Sequence, residues 1–141
     1  MMTELEKYYN KFNEEKRLKS RHGQVEFITS MKYIHKYLPK REAGQVKILD
    51  VGAGTGSISI EAALQAEDGY VYAIEKKEEA VELLEENRRK FALDNLTIIP
   101  GLAPEALRDL PAPTHVFIGG SSGNLLSIMR TALEKIPAVR F

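Results

Sequence analysis

Three glycines in alternation, preceded by one acid and followed at a distance by another, are the residues of this chain best placed to do chemistry. The run 48–56 (ILDVGAGTG) sets Gly52, Gly54 and Gly56 two apart, just after Asp50. Glycine lacks a Cβ and tolerates positive φ, so backbone at such a turn can come within contact distance of a ligand. A helix starting at Ser57 would aim its unpaired N–H groups at the same ligand. The spacing D-x-G-x-G-x-G departs from the G-x-G-x-x-G of dinucleotide sites, which disfavours NAD or FAD as the occupant. The plain alternative is a tight strand-to-helix connection with no ligand. Three alternating glycines exceed what one turn needs, however, since each weakens local order by roughly 0.5–1 kcal/mol relative to Ala.

The second acid, Glu75, closes a second apolar run, 70–74 (YVYAI). A carboxylate there is suited to gripping ribose hydroxyls, because it can accept two hydrogen bonds from a diol. The alternative is that Glu75, followed by KKEE, opens a solvated helix. Two loops join the set: 100–107 (PGLAPEAL) after a third apolar run, and 119–124 (GGSSGN) after a fourth. The latter is a small-residue loop where backbone and substrate could approach closely, or else a plain linker. His22, His35 and His115 are scattered and read as structural or exposed, and Glu105 and Asp109 as ordinary surface acids. No residue is compelled as a general base, and no metal ligand set is seen.

The elements that must position these residues alternate in type. Residues 3–20 read as an amphipathic helix with Thr3 as N-cap and Leu5, Tyr8, Tyr9, Phe12 and Leu18 on an uneven apolar face. After Gly23, residues 24–38 form a second helix, with Val25, Ile28, Met31, Ile34 and Leu38 at three- and four-residue steps and Pro39 stopping it. From there the order is strand 46–51, helix 57–67, strand 70–74, helix 78–92, strand 96–100, short helix 104–109, strand 114–118 and helix 124–135. In helix 78–92, Val81, Leu84 and Phe91 lie near one face, and the acids at its start suit the helix dipole. Nearly continuous apolar strands alternating with helices imply a parallel sheet covered on both faces with right-handed crossovers. In such a sheet the ligand crevice lies beyond the carboxyl ends of the strands, so Asp50, the glycine turn, Glu75 and both loops share one rim.

Composition bounds the rest. At 141 residues the chain has the length of one domain, and 43% hydrophobic residues are enough for a real core. Twenty basic residues balance twenty acidic ones, which gives no electrostatic reason to expect nucleic acid. The absence of cysteine excludes disulfides and thiolate metal sites. No apolar run approaches the ~20 residues of a membrane span. The polar start MMTELEKYYNKF is unlike a signal peptide. A cytoplasmic protein with no membrane or nucleic-acid partner is expected.

The D-x-G-x-G-x-G turn resembles the first motif of class I S-adenosylmethionine (SAM) methyltransferases. Four segments narrow the likeness: DVGAGTGSISIEAA at 50–63, VYAIE at 71–75, GLAPEAL at 101–107 and P-x-x-VFIGGS-x-G at 113–123. In that order they resemble the decarboxylating precorrin methyltransferases of cobalamin biosynthesis, over roughly residues 46–135. The resemblance implies a Rossmann-like SAM methyltransferase fold with strand order 3-2-1-4. The turn Gly52, Ala53, Gly54, Thr55 and Gly56 would then pack against the methionine end of SAM, Glu75 would hold the ribose hydroxyls, and Asp50 would belong to the same cofactor site. Leu102 and Ala103 would flank the adenine, although many relatives carry an aspartate at the Leu102 position. Gly119 and Gly120 would lie beside the sulfonium. The reaction implied moves methyl groups to ring carbons of a precorrin tetrapyrrole and removes the carboxylate of an acetate side chain.

Two departures accompany the likeness. The leading helices resemble those of a different, general class I methyltransferase group, where they fold over the cofactor. That implies Tyr8, Arg21 and Gln24 as lid contacts, with surface polar residues the alternative. The chain also stops at Phe141, where the family continues through three more strands. Domain organisation is expected as a helical segment, 1–45, leading into a Rossmann-like domain, 46–141. A chimera, a designed protein or a truncated fragment without turnover is the alternative to a working methyltransferase. Strand 114–118 would form an apolar sheet edge, which predicts self-association across it.

Overall fold

The structure is a computed structural model that describes residues 25, 28–33, 36, 46–66 and 68–141. The expected helix 3–20, with Tyr8, and the residues Arg21 and Gln24 lie outside the described residues. The chain divides into two units, Met1–Tyr37 and Leu38–Phe141. In the first, every described residue is helical, and Val25 and Ile28 of the expected apolar face are 60% and 63% exposed.

The second unit is a parallel sheet of four strands: β1 (Lys47–Val51), β2 (Tyr70–Glu75), β3 (Leu96–Pro100) and β4 (His115–Ile118). Their order is β3-β2-β1-β4, as the family resemblance implies. Between them run α1 (Ser57–Gln65), α2 (Glu78–Lys90) and a single 3₁₀ turn (Glu105–Leu107), and α3 (Leu125–Lys135) follows β4. The strands lack a polar–apolar alternation because both sheet faces are covered. On one face Leu49, Val51, Ile74 and Val116 pack with Leu107, Ile128, Ala132 and Val139. Successive strand residues point to opposite faces, so Ile48, Asp50, Val71, Ala73 and Glu75 lie on the other one. There α1 and α2 close the layer, with Ile60, Ala63 and Leu84 buried. Leu84 is fully enclosed, a burial worth about 1.5–3 kcal/mol.

Register fixes the site. Asp50 stands between Ala73 of β2 and Phe117 of β4, and Glu75 pairs with Pro100 at the last rung of β2–β3. β2 runs one residue beyond the apolar run 70–74, so Glu75 ends the strand and is held by the ladder instead of opening a solvated helix.

Several boundaries differ from expectation for identifiable reasons. α1 ends at Gln65, not at 67, because Ala66 leaves helical geometry and the Asn95 amide donates to the Ala63 and Ala66 carbonyls, 2.9 Å each. α2 ends at Lys90, with Ala92 at φ 51°, so Phe91 is 48% exposed instead of completing the apolar face. Its acidic first turn and basic last turn do complement the helix dipole. The short helix at 104–109 contracts to the 3₁₀ turn. At the outer edge of β4, Arg140 forms a parallel bridge to His115, accepting from the Val116 N–H (2.6 Å) and donating to the Thr114 carbonyl (3.1 Å). The first half of that edge is thus paired within the chain. Among the described residues no helix is long and apolar enough to cross a membrane.

Candidate functional site

The carboxyl ends of the four strands are laced together by backbone hydrogen bonds. The Gly52 and Ala53 N–H groups donate to the Ile74 carbonyl (2.9 and 3.0 Å), which ties the turn after β1 to the end of β2. Gly101 donates to Glu75 (3.0 Å), and Gly119 and Gly120 donate to Val51 (2.9 and 3.3 Å). All four loops expected at the rim therefore do meet there.

The three glycines of the turn hold their places for three different reasons. All have left-handed φ, between +57° and +91°. A Cβ on Gly52 would lie 2.6–2.8 Å from the backbone of Gly120, and one on Gly56 would collide with Leu84 of α2. A Cβ on Gly54 would meet nothing within 4 Å. Gly52 and Gly56 are thus packing glycines, whereas the face above Gly54 is open space. Thr55 gives its carbonyl to the Asn87 amide of α2 (3.0 Å), a brace that fixes the outer limb of the turn.

Glu75 is buried and fully oriented. Its Oε2 accepts from the Gly54 N–H at 2.8 Å, and its Oε1 from the Lys76 and Lys77 N–H groups at 3.0 and 2.9 Å. Charge-assisted bonds of this kind are about twice as strong as neutral ones. The turn and the acid, placed together on sequence grounds, are in direct contact.

Asp50 sits one strand away under different conditions. It is 1% exposed, its Oδ2 accepts from the Ser59 hydroxyl in the first turn of α1, and its Oδ1 has no hydrogen-bond partner. Its carboxyl is raised from 3.8 to about 6, with burial the largest cause, the Ser59 hydroxyl and backbone N–H opposing it, and the Glu75 charge adding to it. Since α1 has Gly56 as its N-cap and no acid in its first turn, Asp50 also supplies the negative charge that this helix end favours.

The remaining expected residues divide. Leu102 is 43% exposed at the rim, whereas the Ala103 methyl is in the core at 3% exposure. Ala103 thus presents backbone to the rim, and its carbonyl accepts from the Asn124 amide at 3.3 Å. Gly119 lies against the Gly52 carbonyl, its added Cβ 3.2 Å away. Across the loops after β2 and β4, the Lys76 ammonium donates to the Ser122 hydroxyl at 2.8 Å. Gln24 lies outside the described residues. Sequence reasoning missed Ser59, Asn87 and Asn124 as supports. Only Ser59, inside the motif at 50–63, carried a local signal, as a polar residue on the inward face of an otherwise apolar helix.

A family model described as a precorrin methyltransferase domain matches residues 39–139. The cobalt-precorrin-6B C(15)-methyltransferase (decarboxylating) of Salmonella typhimurium is 48% identical over 86 residues, covering 61% of this chain and 44% of that protein. The chain spans about half the length of the curated relatives it matches. Among solved structures, a precorrin-6y C5,15-methyltransferase from Geobacter metallireducens superposes with TM-score 0.67 at 32% identity, over 77% of this chain and 54% of that one. A SAH-bound methyltransferase from Podospora anserina reaches the same TM-score at 16% identity, over 79% and 47%, a likeness of fold alone. Matched by the family model over well more than half its length, the chain belongs to the precorrin methyltransferase domain family.

Proposed function

We propose that the rim formed by Asp50, the 52–56 turn, Glu75 and the 101–103 and 119–124 loops binds S-adenosylmethionine, and that the chain serves methyl transfer to ring carbons of a precorrin tetrapyrrole, with decarboxylation of an acetate side chain. The observation that carries this reading is the Gly54 N–H to Glu75 Oε2 bond at 2.8 Å beneath an open Gly54 face. It joins the turn and the acid directly at the rim.

The residues present fit an adenosyl sulfonium compound. A carboxylate offers about four acceptor sites. Backbone donors fill three on Glu75, leaving Oε2 free to accept a ribose hydroxyl. The buried, unpartnered Asp50 Oδ1 calls for a donor or a positive charge, since a buried polar group without one is costly. When bound, the cofactor supplies an already activated methyl on a sulfonium. The chain's own task is then to orient the acceptor carbon in line and to exclude water. Glu75 fixes the nucleoside, the turn closes under it, and exposed Leu102, Leu125 and Leu126 offer apolar surface at the same rim.

The test is calorimetric titration with S-adenosylhomocysteine and, separately, with NAD. Heat with the first alone is expected. Heat with NAD alone would move the chain to dinucleotide chemistry, and silence with both would leave the fragment without turnover as the better description. Self-association across β4 belongs to the same proposal, through the half of the edge beyond Arg140, and light scattering on a size-exclusion column at rising concentration tests it.

A further inference from the structure

Asp50 is a buried acid at the rim with one carboxylate oxygen, Oδ1, that has no hydrogen-bond partner among the described residues. Its surroundings can be named element by element. On its own strand, Leu49 and Val51 point to the opposite face. From β2 it faces Ala73 at the same rung and the Glu75 carboxylate at the strand end. From β4 it faces Phe117, with His115 two residues behind on the same face and hydrogen-bonded to Thr114 through Nδ1. From α1 it meets Ser59, whose hydroxyl takes Oδ2. Among the described residues, the negative charge acting on it is Glu75, the side-chain donor is Ser59, whose backbone N–H also favours the ionised form, and Oδ1 has no hydrogen-bond partner.

We propose that Asp50 is the proton-linked member of this site: with the pocket open its carboxyl holds a proton in mild acid, and a ligand bringing a cationic group to the end of β1 displaces that proton, so that binding and proton release are one event. This rests on the adenosyl reading above and deepens it. An unpartnered carboxylate oxygen in a dry site next to a second, fixed carboxylate is best satisfied by a proton or a cation, and the two compete for the same place. The affinity for a cation-bearing ligand then falls as pH drops through the carboxyl's own range, which burial and the Glu75 charge, opposed by Ser59, place at about 6. Ser59 acts as a positioning residue. Its hydroxyl donates to the ionised form and so sets where on the pH scale the exchange takes place.

The experiment is titration of the full chain with S-adenosylhomocysteine, which carries an ammonium and cannot turn over. It is run from about pH 5 to about pH 8 in buffers of differing ionisation enthalpy, so that protons released per ligand are counted. The expected result is release of most of one proton near pH 5.5, none near pH 8, and roughly tenfold weaker binding at pH 5 than at pH 7.5. Ser59→Ala is expected to move the midpoint upward, with Ser59→Cys between the two. Asp50→Asn is expected to flatten the profile. Binding whose affinity and proton count do not change with pH would overturn the linkage and leave the adenosyl reading standing. A profile that persists in Asp50→Asn would also overturn it and assign the proton to His115. Absence of binding at every pH would overturn both the linkage and the reading beneath it.

Discussion

Two carboxylates end neighbouring strands of one sheet, both buried on the same face, and the protein treats them in opposite ways. Glu75 is held by three backbone N–H groups, one of them from the glycine turn itself. Asp50 accepts from the Ser59 hydroxyl, feels the Ser59 N–H as well, and keeps one oxygen without a hydrogen-bond partner among the described residues. Backbone donors cannot rotate away, so Glu75 is an acceptor fixed in direction. Asp50 depends on a side chain and on burial, so its charge can respond to what arrives. The difference teaches that one site can combine a rigid recognition element with an adjustable one simply by changing who donates.

The sharpest way to break this comparison is Glu75→Gln. The amide is isosteric but turns one acceptor into a donor, which must then confront an N–H of Gly54, Lys76 or Lys77. We expect about 100-fold weaker S-adenosylhomocysteine binding by calorimetry, about 3 kcal/mol, as severe as Glu75→Ala. Binding within threefold of the parent would show that direction at Glu75 does not matter.

Asp50→Asn tests the other half through stability. In the folded chain the Asp50 carboxyl is raised from 3.8 to about 6. The folded state therefore binds a proton more tightly than the unfolded state. Stability contributed by the protonated form is lost as pH rises between those values, and the penalty is complete above the upper one. The variant is expected to melt higher than the parent by roughly 2 kcal/mol near pH 7.5, with the gain shrinking toward pH 4.5. A gain that is independent of pH would mean that Asp50 carries its charge without cost.

Asn87→Ala removes the brace on Thr55 and is expected to cost about 1 kcal/mol in chemical denaturation, with weaker binding to match. Lys76→Ala, which cuts an exposed bond to Ser122, is expected to change stability by less than about 0.5 kcal/mol. A larger loss there would mean that the loops after β2 and β4 act as a clasp.

Much of this was legible in the chain. Unbroken apolar strands alternating with helices gave a parallel sheet covered on both faces, the resemblance supplied its order, and the positions of Asp50, Gly52, Gly54 and Glu75 placed the rim. These are signals of local pattern, and local pattern is what a sequence displays. The supports were not legible, because Asn87 reaches Thr55 across 32 residues and Asn95 reaches Ala63 across the same span. Nothing in either residue's neighbourhood along the chain marks it. The direction of the Ala103 methyl was not legible for a related reason: its loop belongs to the rim, but packing with Leu107 and Ile128 sets where the methyl points. Phe91 failed because its periodicity continued past the point where Ala92 turned the backbone left-handed.

The close approach of Gly52 to Gly120 is one-sided. A methyl on Gly52 would strike backbone, whereas one on Gly120 would sit 3.9 Å from the Gly52 Cα, in ordinary contact, on an exposed loop and without left-handed φ. Position 120 is therefore a natural anchor for a spectroscopic reporter. In a chain with no native thiol, a single cysteine there can carry a small reporter beside the turn, whose signal changes when the space next to Gly52 is filled.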